Sequence, residues 1–262
     1  TINFKIKIMC YDIRATVETQ LKRAKTKGDA QAVDEIMETL IPLTDLPLYH
    51  SSGFSHPELL IYTDRSPNYP EVATWGLVPQ WVKNEADMKK SWNNTLNARG
   101  ETIFTLNSFK KAANESRCLI YIDGFYEHHH FEKKTYPFYI YKKDKSPIIL
   151  AGLFNEWVNP ETLGKMNTFS IVTTTENQLL AKIHNNPKLK EARMPVILHE
   201  ELADKWLTKL EGDKDQKFIE ELIQEYPEEE LEAHTVSKLR GKEYMGNVPG
   251  ISDPVKYAEL VF

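Results

Sequence analysis

The chain has 262 residues, 41% of them hydrophobic, and carries 33 Lys and Arg against 38 Asp and Glu for a formal net charge of −5. That length supports one large domain or two modest ones, while the negative balance excludes a protein that coats nucleic acid non-specifically, since such binding runs on counterion release at many basic side chains. Two cysteines, Cys10 and Cys118, are too few for a disulfide framework, no C-x-x-C metal motif occurs, and no run reaches the roughly 18 apolar residues of a membrane span. A cytoplasmic protein with no metal, no cofactor and no membrane contact is expected. The acidic weight lies late, through Glu228, Glu229, Glu230 and Glu232, so a local basic groove remains open.

Residues 1–8 alternate Lys with apolar residues, a strand pattern that makes an extended start or leader and not a signal peptide. Residues 14–25 and 29–40 read as two helices separated by Gly28, with Asp29 as a cap. Strands follow at 58–63 and 71–75 among five prolines. Trp75-Gly76-Leu77-Val78-Pro79-Gln80-Trp81 then sets two tryptophans around Gly and Pro, so they cannot share one regular element. Each ring suits core packing; beside Arg99, an exposed ring also suits stacking on unpaired bases while the guanidinium holds a phosphate.

Residues 105–115 have a helical pattern, and 118–122 form a nearly continuous apolar strand that makes Cys118 an inert core thiol. Gly124 ends that strand in this reading, leaving Glu127 just past a change of direction, where it is either a solvent-facing glutamate or a catalytic carboxylate. His128, His129 and His130 cannot all point one way from a strand, so a polar hairpin end is expected and not a metal site. Three more strands are predicted at 136–142, 147–157 and 167–175, then a short helix at 176–183 ending in His184. A histidine at a helix C-terminus has its cation favoured by the dipole, which suits a proton donor and equally a cap. A strand at 192–198, helices at 202–210 and 215–226, and a strand at 231–239 complete one domain spanning 9–262.

Met9-Cys10 carries the sharpest chemistry. A cysteine that becomes the first residue offers a thiolate and an α-amine on adjacent carbons, with pKa values near about 8.5 and 8, and together they can close a five-membered ring on an aldehyde. With residues 1–9 attached, Cys10 has only an amide nitrogen.

In order, Met9-Cys10, the Trp75 to Trp81 motif, Asn97-Ala98-Arg99-Gly100-Glu101-Thr102, Gly124-Phe125-Tyr126-Glu127, and His184 with Arg193-Met194-Pro195 resemble the SRAP family (SOS response-associated peptidase-like proteins) over nearly the whole chain. The resemblance implies an α+β single domain with a mixed, barrel-like antiparallel β core and peripheral helices. It further implies a monomer that binds single-stranded DNA and traps abasic sites through Cys10 as a thiazolidine crosslink in the DNA damage response. Carried over, Cys10 is the covalent residue, Asn97 positions it, Glu127 is the acid/base that holds the amine, and His184 protonates the opening sugar and the Schiff base. Arg99, Trp75, Trp81 and Arg193 would face the DNA. The family's glycine-arginine after the cysteine is Tyr11-Asp12 here, and a tryptophan common after the glutamate is His128. A thiol peptidase built on Cys10, His184 and Asn97, removing the residues ahead of Cys10, is the alternative of a different class. A non-covalent reader of single strands is a third.

Overall fold

A computed structural model describes residues 11–27, 30–187 and 191–260. Cys10, the 1–8 leader and the Gly28-Asp29 helix break lie outside the described residues. Strand β1 (Asp12–Ala15) runs into α1 (Val17–Gln20), α2 (Lys22–Lys27) and α3 (Ala30–Thr39). Arg14 is thus in a strand, and the predicted first helix begins only after Thr16, whose hydroxyl caps α1. Strands β2 (Leu48–Ser52), β3 (Glu58–Thr63) and β4 (Glu71–Trp75) follow, then α4 (Glu85–Ser91), β5 (Asn97–Arg99) and α5 (Lys110–Glu115). The middle of the chain is β6 (Arg117–Ile122), β7 (Gly124–Phe131), β8 (Lys134–Lys142), β9 (Ile148–Val158) and β10 (Lys165–Thr175). After α6 (Gln178–Ile183) come β11 (Arg193–Pro195), β12 (Ile197–Leu198), α7 (Glu200–Trp206), α8 (Asp213–Glu221) and β13 (Leu231–Thr235).

Five strands close on themselves: β3 pairs β4 and β6, β6 pairs β9, β9 pairs β10, and β10 returns to β4. All these ladders are antiparallel except β10 with β4, so the barrel is mixed, as the family resemblance implies. The period-2 pattern explains the layering. Cys118, Ile120 and Ile122 of β6, with Leu59 and Ile61 of β3, belong to a cluster that also takes in Ile13, Phe125, Phe138 and Ile140 from the second sheet. The alternate residues Leu119 and Tyr121, with Leu60 and Tyr62, meet Leu21, Ala24, Ala112 and Trp206 from the helices. Inside the barrel there is no room at Gly152, where a Cβ would lie 2.5 Å from Ile120 Cδ1 and 2.7 Å from Cys118 Sγ. Burial pushes the Cys118 thiol well up, as expected for an inert core thiol.

The second sheet has the order β13-β8-β7-β1-β2, antiparallel throughout. Gly124 does not end a strand by a turn: it opens β7, and a Cβ there would stand 2.4 Å from Ile140 O and 2.6 Å from the Tyr139 ring. Glu127 therefore sits within a strand, in register with Phe138, not at a loop. His128, His129 and His130 continue β7 toward a hairpin whose two turn residues, Glu132 and Lys133, both have positive φ (46° and 63°), the geometry of a two-residue turn matched to strand twist. Among the described residues no helix is long and apolar enough to cross a membrane.

Candidate functional site

Among the described residues β7 is paired with β1 only from Gly124 to Tyr126. Beyond that point, where β7 runs on beside β8 alone among the described residues, a pocket of about 410 Å³ opens. Tyr11, Asp12, Glu127, His128, Lys238 and Arg240 are among its lining residues. Successive side chains alternate along β7, so Phe125 and Glu127 point toward the main core while Tyr126 points to a separate cluster with Tyr139, Val236 and Leu239.

On the core side Glu127 meets α6. That helix is fixed at its start by Asn177, whose side chain accepts from Leu180 N at 3.0 Å and donates to Tyr226 O at 2.7 Å. Its end is fixed by buried Leu180 and Ile183. His184 follows as the C-cap and brings Nδ1 to 3.7 Å from Glu127 Oε2, with side-chain exposures of 1% and 3%. Oε1 of Glu127 has no hydrogen-bond partner among the described residues, which is unusual for a buried carboxyl. Burial, then the nearby Asp12 charge, pushes the Glu127 carboxyl well above its ordinary range. Burial pushes His184 down to about 4, against an opposing pull from the Arg193 backbone. The dipole argument therefore loses to desolvation: six residues of helix do not keep the imidazole charged. Burial therefore favours the neutral form of both members of the pair. His128 is likewise pushed down to about 4, chiefly by burial.

Across the pocket, Asp12 is held in a polar chain that local sequence gives no sign of. Arg240 Nη2 donates to its Oδ2 at 2.9 Å, His50 Nε2 lies 3.6 Å from its Oδ1, and the Tyr244 hydroxyl meets His50 Nδ1 at 2.9 Å. Burial raises the Asp12 carboxyl, but His50 and Arg240 outweigh it and hold it below the ordinary value. Phe54, 42% exposed with its ring 4.7 Å from that of Tyr11, forms an aromatic edge of the same pocket.

The other expected site residues divide. Asn97 is buried on β5, in register with Ile171 of β10, and Arg99 is half-buried and paired with Glu191 at 3.2 Å. Trp81 is 55% exposed. Two expectations need correction. Trp75 is fully buried, donates Nε1 to Leu96 O at 2.8 Å and packs against Phe169, so it is a core residue and presents no face to DNA. Arg193 is 2% exposed and its guanidinium is spent on Glu101 (2.9 and 2.7 Å) and Thr173 O (2.8 Å), so it ties β11 to β10 and to the residues after β5 and does not grip a phosphate. None of these five lines the Glu127 pocket. No group of three or more His, Cys, Asp or Glu among the described residues could hold a metal ion.

The architecture is thus a closed mixed barrel flanked by a second, antiparallel sheet, with a carboxyl and an imidazole buried together next to a pocket lined by charged and aromatic residues. The same fold occurs in a crystal structure of a protein from Bacteroides thetaiotaomicron, with a TM-score of 0.79 and 30% identity over 94% of this chain and 100% of that one. The chain matches the family model "SOS response associated peptidase (SRAP)" over residues 9–242 and belongs to the SRAP family. It is 36% identical over 195 residues to abasic site processing protein YoqW of Bacillus subtilis (strain 168), covering 73% of this chain and 81% of that protein. It is also 29% identical over 256 residues to abasic site processing protein HMCES of Pongo abelii, covering 84% of this chain and 68% of that one.

Proposed function

We propose that the chain processes abasic sites in single-stranded DNA, with Cys10 as its first residue closing a thiazolidine on the exposed sugar aldehyde. The observation that carries this reading is the buried Glu127–His184 pair, whose Glu127 lines a pocket that Tyr11 and Asp12, the two residues after Cys10 in sequence, also line. Names of the relatives, as abasic site processing proteins, point the same way.

An abasic sugar rests mostly as a closed hemiacetal, so a general acid must help open it. Glu127, whose carboxyl burial raises, is assigned as the acid that protonates the ring oxygen, and His184, whose imidazole burial lowers, as the group that accepts the hemiacetal hydroxyl proton, in place of the donor role that the resemblance implies. The α-amine then bonds to C1′, the carbonyl oxygen leaves as water, and an imine remains. Addition of the thiol sulfur to the imine carbon closes the ring, its proton passing to the ring nitrogen. Asn97 and Arg99 are assigned to positioning and to a phosphate contact, and Trp81 to stacking.

The test incubates the form beginning at Cys10 with an abasic single-stranded oligonucleotide and separates the products by denaturing electrophoresis. A shifted band that disappears with Cys10→Ala is expected; no band, or an equal band with Cys10→Ala, overturns the reading. The 262-residue form with residues 1–9 attached lacks the amine and should give none. Removal of those residues by the thiol itself is a second reading, favoured by their presence ahead of Cys10 and by the family's description as a peptidase. It predicts that purified 262-residue protein acquires a Cys10 N-terminus, and Cys10→Ala does not, by intact mass.

A further inference from the structure

The pocket holds a feature that the proton-transfer pair does not use. Position 12 is a carboxylate, 4% exposed and held ionised, at the mouth of a site proposed to take a polyanion. Left alone it would repel a phosphate. Opposite it the segment after β13 sends two cations into the same pocket, Lys238 and Arg240. Lys238 is engaged in structure: its Nζ donates to Thr135 O at 2.5 Å and lies 4.7 and 4.9 Å from the Tyr136 and Tyr257 rings. Arg240 differs. Its Nη2 bonds Asp12, yet 63% of the side chain faces solvent, and its remaining N–H groups have no partner among the described residues.

That guanidinium is held from behind. Tyr244 bonds His50, and Asn247 accepts from the backbone N–H of Tyr49 (2.7 Å) and His50 (3.1 Å) while donating to Pro47 O (2.9 Å). The strap formed by 240–247 is thereby laid across β2, and its first residue is aimed over Asp12. A guanidinium fixed at one nitrogen and open at the others suits a phosphate oxygen pair.

We propose that Arg240 is a phosphate-binding residue of this pocket, taking the DNA phosphate that flanks the captured sugar, and that Asp12, His50 and Tyr244 are positioning residues that hold its guanidinium there. This rests on the abasic-site reading above. The cation that the family pattern places two residues after the cysteine is supplied here from the far end of the chain. Phe54 and Tyr11 give the same pocket an aromatic edge.

The test uses the full 262-residue chain and a single-stranded oligonucleotide containing a tetrahydrofuran abasic analogue, which lacks the aldehyde and binds only non-covalently. Arg240→Gln should weaken binding about fivefold to tenfold at low salt and flatten the slope of log affinity against log salt by about 0.7, the loss of one phosphate contact on a single strand. Arg240→Lys should keep the slope, and Arg240→Gln with Asp12→Asn, which removes both members of the pair, should still lose it. Wild-type protein that binds while Arg240→Gln keeps its affinity and slope overturns this inference alone; so does an equal loss of slope in Arg240→Lys. Wild-type protein with no affinity for the oligonucleotide overturns it together with the abasic-site reading.

Discussion

His184 Nδ1 and Glu127 Oε2 face each other across 3.7 Å with almost no solvent contact on either side chain. The gap is slightly longer than a hydrogen bond, and in the proposed reaction a ligand or water draws the pair together before a proton passes. Replacing the carboxyl by an amide of the same shape, Glu127→Gln, removes the exchangeable proton and leaves the packing. Crosslink formation should slow by about 10²- to 10⁴-fold, read from timed denaturing gels. The melting temperature should hold or rise, because the buried carboxyl is a burden on the fold.

His184 also makes stability depend on pH. Its unfolded value of 6.5 falls to about 4 in the folded chain, so between these pH values the unfolded state binds more protons. Stability from this group is complete above pH 6.5 and is lost as pH falls toward 4, amounting to about 3 kcal/mol at about 1.4 kcal/mol per pH unit. His128, pushed down to about 4 by burial, acts with the same sign. Urea denaturation across this window should show the loss, and His184→Gln should blunt it; an unchanged pH slope in that variant would refute the assignment.

The two tryptophans of the Trp75 to Trp81 motif should behave oppositely. Trp75→Ala empties a fully buried site and should cost about 3 to 5 kcal/mol. Trp81→Ala should change stability by less than about 0.5 kcal/mol and weaken single-strand binding by about 1 to 3 kcal/mol if its exposed ring stacks on a base. Melting curves and fluorescence anisotropy on the two variants separate these roles.

Arg193 gives a contrast with Arg240. Its guanidinium is buried and shared between Glu101 and Thr173. Arg193→Met should lower the melting temperature through the orphaned polar groups, at about 1 to 3 kcal/mol, while folded protein keeps the wild-type salt slope for DNA. A flattened slope would place Arg193 on the DNA after all.

Strands announced by β-branched and aromatic runs were legible: β3 and β4 fall on the predicted limits, and 118–122 lies within β6. Motif order also singled out Glu127 and His184 as separate partners of Cys10; that the two side chains meet each other at 3.7 Å had no sign in the sequence. What sequence could not convey was the direction of a side chain. Nothing local distinguishes Trp75 from Trp81, and the choice is made by Leu96 O and Phe169. Arg193 reads as a free cation until Glu101, 92 residues earlier, takes it up. Gly124 reads as a strand end because a glycine serves a turn and a close approach equally well; the Tyr139 ring decides for the latter. His50 and Tyr244 gave no signal, since their meaning exists only where β2, β1 and the strap cross.

The Arg240–Asp12 hydrogen bond joins positions 228 residues apart. A chain emerging from the ribosome presents Tyr11 and Asp12 first, then Glu127 and His184, and meets Arg240 only after β13 has been made. Until then Asp12 has His50 beside it but lacks its guanidinium partner. The ion pair therefore closes only once the segment after β13 has returned to β1, so its formation reports completion of the fold across almost the whole chain.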